Sequence, residues 1–241
     1  MPLMLLELVV QRRKVLDEVV TNVKDLVDCF DIPESPAGYP APASLAVATY
    51  VKAKYGVCAI PHVRLCDVNE LALRSAIKAA RVFDLNALVV TVGDPPRYGR
   101  CASDLTTDEA VRLIKELGYG VRVGSIISLR YDLRDIEERL SNDSDFYYVL
   151  RLDESSFSKY EEVVDMARSY GKELYPYVIV VTPANEELLN RLGQPRIKLV
   201  DLRPFIQKLR GRCSGLVVSS PLEHQLLPQI LGAVREVLRG G

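Results

Sequence analysis

Short apolar runs alternate with stretches of helical period along the whole chain. LLELVV is followed by VLDEVVTNVKDLVD, in which Val15, Val19, Val23 and Leu26 fall on one helical face. VDCF and the loop DIPESPAGYPAP lead into ASLAVATYVKAKYG, which stops at Gly56. VCAIPHV precedes DVNELALRSAIKAARVF, with Asp67 or Asn69 as its cap. ALVVTV, GVRVGSIISL, DFYYVLRL, LYPYVIVVT and CSGLVVSS follow as further strands. Between and after them come TTDEAVRLIKELG, DLRDIEERL, SFSKYEEVVDMARSYG, ANEELLNRLG with LRPFIQKLRG, and PLEHQLLPQILGAVREVL as helices. Strands that are apolar on both sides and separated by helices require a parallel sheet covered on both faces. Eight such units in 241 residues fit an α/β fold of the (β/α)8 TIM-barrel type better than an open sheet. No Gly-rich dinucleotide fingerprint, P-loop or low-complexity linker interrupts them, so residues 1–241 read as one barrel domain.

Composition narrows the function classes. The net charge of −1 leaves no electrostatic footprint for nucleic acid or an anionic membrane. MPLMLLELVV has no basic start and carries Glu7 in its middle, so it reads as a first strand rather than a leader, and a cytoplasmic protein is expected. The five cysteines, Cys29, Cys58, Cys66, Cys101 and Cys213, form no C-x-x-C pair. They read as incidental thiols, with no disulfide framework and no metal site.

In a barrel of this type, functional groups collect at the C-terminal ends of the strands. Glu7 lies on the first strand, Asp28 and Asp31 lie near the end of the second, His62 ends the third and Asp94 ends the fourth. The later strands offer Ser125 and Ser128, Arg151, Thr182, and Ser219 with Ser220, which weights the expected site toward the N-terminal half. Three of them have a plain alternative. Glu7 would pair with a base across the barrel, His62 would be a satisfied core histidine, and Gly-Asp-Pro-Pro would be a strand exit with Asp94 as turn former.

Together these segments resemble a family. VDCFDIPESPAGYPAPASLAVATYVKAKYG is similar to the second-strand loop and helix of methylenetetrahydrofolate reductases, in particular their shorter prokaryotic branch. IPHVRLCDVNELALRSAIKAARVFDLNALVVTVGDPP continues the likeness through the third-strand His to the Gly-Asp-Pro-Pro turn, over roughly residues 4 to 97. The resemblance implies a flavoprotein oxidoreductase of one-carbon metabolism and methionine biosynthesis. FAD would be reduced by NADH or NADPH and would convert a methylene-tetrahydropterin to its 5-methyl form. Glu7 would be the general acid. Asp94 would tune the flavin and bind the pterin edge, as a carboxylate accepting two parallel hydrogen bonds can. His62, Ser35, Ser44, Ser128 and Arg139 would contact the cofactor.

The chain also departs from the family. Val10 and Gln11 replace two prolines, Arg139 replaces a lysine, and Leu150, Leu188 and Leu192 stand where substrate-binding glutamines and an aromatic are usual. A modified pterin, a partner subunit completing the pocket, and lost activity all stay open. So do a flavin-free pterin-binding or methyl-transfer barrel and a non-catalytic barrel subunit. The expected partners are the small-molecule tetrahydropterin and either further copies of the chain or a partner subunit, with neither nucleic acid nor membrane.

Overall fold

The computed structural model describes residues 1–9 and 11–240. Val10, one of the two residues in place of the prolines, lies outside the described residues. The elements run β1 (Leu3–Glu7), α1 (Arg13–Val23), β2 (Cys29–Ile32), α2 (Ser44–Tyr55), β3 (Cys58–Arg64), α3 (Glu70–Val82), β4 (Ala87–Thr91), α4 (Thr107–Glu116) and β5 (Arg122–Ser128). They continue with α5 (Leu133–Leu140), β6 (Phe146–Leu150), α6 (Phe157–Ser169), β7 (Glu173–Val181), α7 (Glu186–Leu192), β8 (Ile197–Lys198), α8 (Leu199–Leu209), β9 (Gly215–Ser219) and α9 (Leu227–Arg239). Every strand pairing is parallel. The ladder runs from β6 back through β1 to β9 and β7, and β6 pairs with β7 to close it. The result is the expected TIM barrel of eight strands. Two-residue β8 is an addition paired to the upper end of β7.

The alternation of each strand sorts its side chains between two cores. A large cluster lies between sheet and helices. A smaller one fills the lumen with Leu5, Cys29, Val89, Phe146, Tyr148, Tyr175, Tyr177 and Val217. Gly56, at φ 69°, ends α2 in the left-handed region where only glycine is unstrained. Asn69, not Asp67, caps α3 by accepting from the Ala72 N–H at 3.0 Å. No helix among the described residues is long and apolar enough to cross a membrane.

The structure departs from the sequence expectations at Asp28 and at the cysteines. Asp28 precedes β2 and so lies at the N-terminal end of the barrel, where it accepts from the Met4 N–H at 2.7 Å. Four of the five cysteines are joined, Cys29 to Cys58 and Cys66 to Cys101, and Cys213 alone is free. The first pair is brought together by register, since Cys29 and Cys58 are direct neighbours on β2 and β3. Sequence separations of 29 and 35 residues leave no local motif for either pair.

Candidate active site

Glu7 and Asp31 end adjacent strands in register, and both share the lumen face with Leu5 and Cys29. His62 lies on the lumen face of β3, and its Nε2 is 2.7 Å from Asp31 Oδ1. Tyr177 reaches in from β7 and donates its hydroxyl to Asp31 Oδ2. From β9, Ser219 donates to Glu7 Oε2. Tyr148 packs against this group, its ring centroid 5.7 Å from that of His62 and 5.5 Å from that of Tyr177. Its hydroxyl is buried without a hydrogen-bond partner. Six side chains from six strands thus form one polar cluster toward the C-terminal end of the barrel.

Its electrostatics favour proton exchange at Glu7. Burial pushes this carboxyl up to about 7, and the negative charge of Asp31 adds to the effect. The Ser219 hydroxyl and His62 act in the opposite direction. Burial and the charge of Asp31 also drive the Tyr148 and Tyr177 hydroxyls well above their ordinary range, so both stay neutral donors. Among the described residues, no group of three or more His, Cys, Asp or Glu is arranged to hold a metal ion.

The remaining sequence candidates are spread more widely. Asp94 is on the exposed β4–α4 loop, outside the hydrogen-bonded cluster, and its charge acts on Arg151. Ser44 donates to the His62 carbonyl at 2.5 Å, tying the start of α2 to β3. Ser35 has a left-handed backbone, φ 43°, and offers its carbonyl to Arg64 Nη1 at 3.3 Å. Ser128 accepts from the Arg130 N–H at 3.3 Å. Arg139 is in the last turn of α5, its guanidinium 4.6 Å from the centre of the Tyr131 ring. Leu150 belongs to the lumen cluster, and Leu188 is on α7. Ser125 pairs with Ser144, on the face opposite the lumen residues Gly124 and Ile126.

Among the described residues, four of the five non-glycine residues with positive φ (Ser35, Ala37, Arg151 and Leu222) lie in loops after β2, β6 and β9, at the same end as the cluster. Backbone strain of this kind concentrates where a site is held in shape. After β9, where barrels of this fold often bind phosphate, the chain supplies its own anion. Buried Glu223 accepts from the Gln225 and Leu226 N–H groups at 2.8 and 2.9 Å. Burial works to raise its pKa, but the backbone donors outweigh that and hold it below the ordinary value.

No family model matches the chain, and no curated protein matches it. Solved structures do. A 3-keto-L-gulonate-6-phosphate decarboxylase from Vibrio cholerae aligns with TM-score 0.66 and 11% identity over 99% of this chain and 97% of its own. Tryptophan synthase from M. tuberculosis aligns with TM-score 0.63 and 12% identity over 100% and 94%. KGPDC from Streptococcus mutans aligns with TM-score 0.61 and 10% identity over 99% and 97%. These likenesses establish the barrel fold and no more.

They also correct the family resemblance. The similar barrels are named for decarboxylase and synthase chemistry, and no family model supports a methylenetetrahydrofolate reductase. The flavin-dependent oxidoreductase, its FAD, its NADH or NADPH and its place in methionine biosynthesis are therefore withdrawn. The cofactor contacts assigned to His62, Asp94, Ser35, Ser44, Ser128 and Arg139 rested on that flavin. The alternatives of a flavin-free methyl-transfer barrel and a non-catalytic subunit gain no support either. The physical reason is that each matched feature is one that barrel geometry itself favours. An acid at a strand end, a proline-stiffened loop, a capped helix and a Gly-Asp-Pro-Pro strand exit do not specify a cofactor.

Proposed function

We propose that this barrel is a general acid–base enzyme that transfers a proton at a carbon next to a carbonyl group, with Glu7 as the group carrying the proton. The observation behind the reading is the Glu7 carboxyl, half-buried at the end of β1 beside the Asp31–His62–Tyr177 network and poised at about 7. Near neutrality such a carboxyl is populated in both forms. As carboxylate it takes the proton from the carbon, and the C–H electron pair moves toward the carbonyl oxygen. As acid it returns a proton to the resulting enolate. Charge developing on that oxygen calls for a donor, and the Tyr148 hydroxyl, which makes no hydrogen bond of normal geometry and has the Asp31 carboxylate as its competing acceptor, can supply one. His62, oriented by Asp31 through Nε2, offers a second proton-transfer site at Nδ1. The decarboxylases among the similar barrels lend a weaker support, because loss of carbon dioxide from a 3-keto acid leaves an enolate that must be protonated.

Proton NMR in deuterium oxide tests the reading on a panel of small keto acids, hydroxyketones and their phosphates. The wild type should exchange the hydrogen next to the carbonyl with a pH profile that bends near the Glu7 value of about 7. Glu7→Gln should bind the same compound and lose the exchange by at least ~100-fold, the usual scale of a general-base contribution. Wild-type exchange in Glu7→Gln, or no exchange with any compound of the panel, would remove it.

A further inference from the structure

Arg64 is the charged group that the cluster above does not use. It lies two residues beyond His62 on β3, so alternation directs it to the same lumen side, one layer nearer the mouth. It is 2% exposed. Its Nη1 donates to the Ser35 carbonyl at 3.3 Å, and Asp67 Oδ2 lies 3.0 Å from Nε without hydrogen-bond geometry. Neither Nε nor Nη2 makes a hydrogen bond, although both are buried. A guanidinium has five N–H donors in a fixed fork, and leaving several of them dry and unpaired is costly. Gly93 closes over its stem. With φ 84°, a Cβ there would sit 2.6 Å from Arg64 Cγ, so only glycine lets the β4–α4 loop lie flat on the arginine.

We infer that Arg64 is the anchor of an oxyanion site, taking a carboxylate or a phosphate monoester of the substrate at the mouth of the barrel. Three observations converge on it. The guanidinium is buried with two of its nitrogens outside any hydrogen bond, the Asp67 carboxylate that forms its ion pair is 39% exposed, and the backbone donors at the place where this fold commonly receives phosphate are already engaged by Glu223. The substrate is then a small acid or phosphate ester whose anionic end sits two strand residues, ~7 Å, above the proton-transferring layer. This identification of the substrate rests on the proton-transfer reading. The anion site itself does not.

Isothermal titration calorimetry and thermal melting, each with inorganic phosphate and with malonate against matched chloride, test the site in the wild type, Arg64→Met, Arg64→Lys and Glu7→Gln. The wild type should bind one of the two anions and melt higher in its presence, and the anion preferred tells phosphate from carboxylate. Arg64→Met should melt at or above the wild-type temperature in chloride, since it removes an under-bonded buried charge, and should lose the response to the anion. Arg64→Lys should keep the fold with a binding constant weakened at least ~10-fold, because an ammonium cannot bind bidentately. Glu7→Gln should keep the full response. A wild type with no response to either anion, or an Arg64→Met protein that responds like the wild type, would overturn the site. If the anion response is present but no proton exchange is found, the proton-transfer reading fails and the anion site stands.

Discussion

At the scale of the residue, Glu7 should leave a mark on stability that needs no substrate. Its carboxyl titrates at about 7 when folded, against an ordinary value of 4.5, so the folded state holds the proton more tightly than the unfolded state. Between those values the native protein is protonated there and the unfolded chain is not. Stability therefore falls as pH rises through that window and levels off above it. The full shift corresponds to on the order of 3 kcal/mol, an upper bound for a carboxyl that keeps some exposure. Glu7→Gln should abolish this slope and make the protein more stable than wild type on the alkaline side, with little difference on the acid side. Urea denaturation across the window measures it. A wild-type slope of the opposite sign, or a glutamine variant with an unchanged slope, would show that Glu7 titrates as an ordinary carboxylate.

At the scale of the element, most of the architecture was legible and only part of the site was. Strand and helix periods alone predict all eight barrel strands, because buried parallel strands must be apolar on both sides while covering helices must be amphipathic. Glu7 and His62 were legible for the same reason, as ionisable groups interrupting apolar strands. Tyr148 and Tyr177 were not, since YYVL and YPYVIVV read as apolar runs and nothing local shows that two of the phenols face inward toward Asp31. Arg64 had a faint signal, a charge two residues after His62 and so on the same face. Glu223 was hidden inside a stretch read as helix, although α9 begins only at Leu227.

The cysteine pairs were missed because each joins different strand–helix units. The Cys66–Cys101 link makes a prediction of its own. The β4–α4 loop is held by that link, by the Ala102 N–H donating to the Cys66 carbonyl at 2.8 Å, and by the Arg97 N–H donating to the Gly38 carbonyl at 3.0 Å. Gly38 fits so closely under the loop that a Cβ would meet the Pro95 carbonyl oxygen. Cys101→Ser should speed hydrogen exchange at the Arg97 and Ala102 amides while leaving the amides of β4 protected. Equal protection in both proteins would mean that the loop is held by its hydrogen bonds alone.

At the scale of the whole molecule, a closed barrel has no sheet edge to spare, so its stability depends on how the first and last elements meet. Strand β1 pairs with β2 on one side and with β9 on the other, and α9 packs against α1 and α8. One carboxylate joins the seam. Asp28 accepts from the Met4 N–H at the start of β1 and from Arg239 Nη2 at the end of α9. With side-chain exposures of 32% and 17%, Asp28 and Arg239 are neither dry nor fully solvated, so their coupling should be modest, ~0.5–1 kcal/mol. A double-mutant cycle with Asp28→Asn and Arg239→Gln measures it by urea denaturation. Because the pair lies at the N-terminal end of the strands and the polar cluster toward the other, breaking it should loosen the last turn of α9 in hydrogen exchange. The pH profile of proton exchange should not move. A variant that loses the profile along with the α9 protection would show that barrel closure and the site are mechanically one unit.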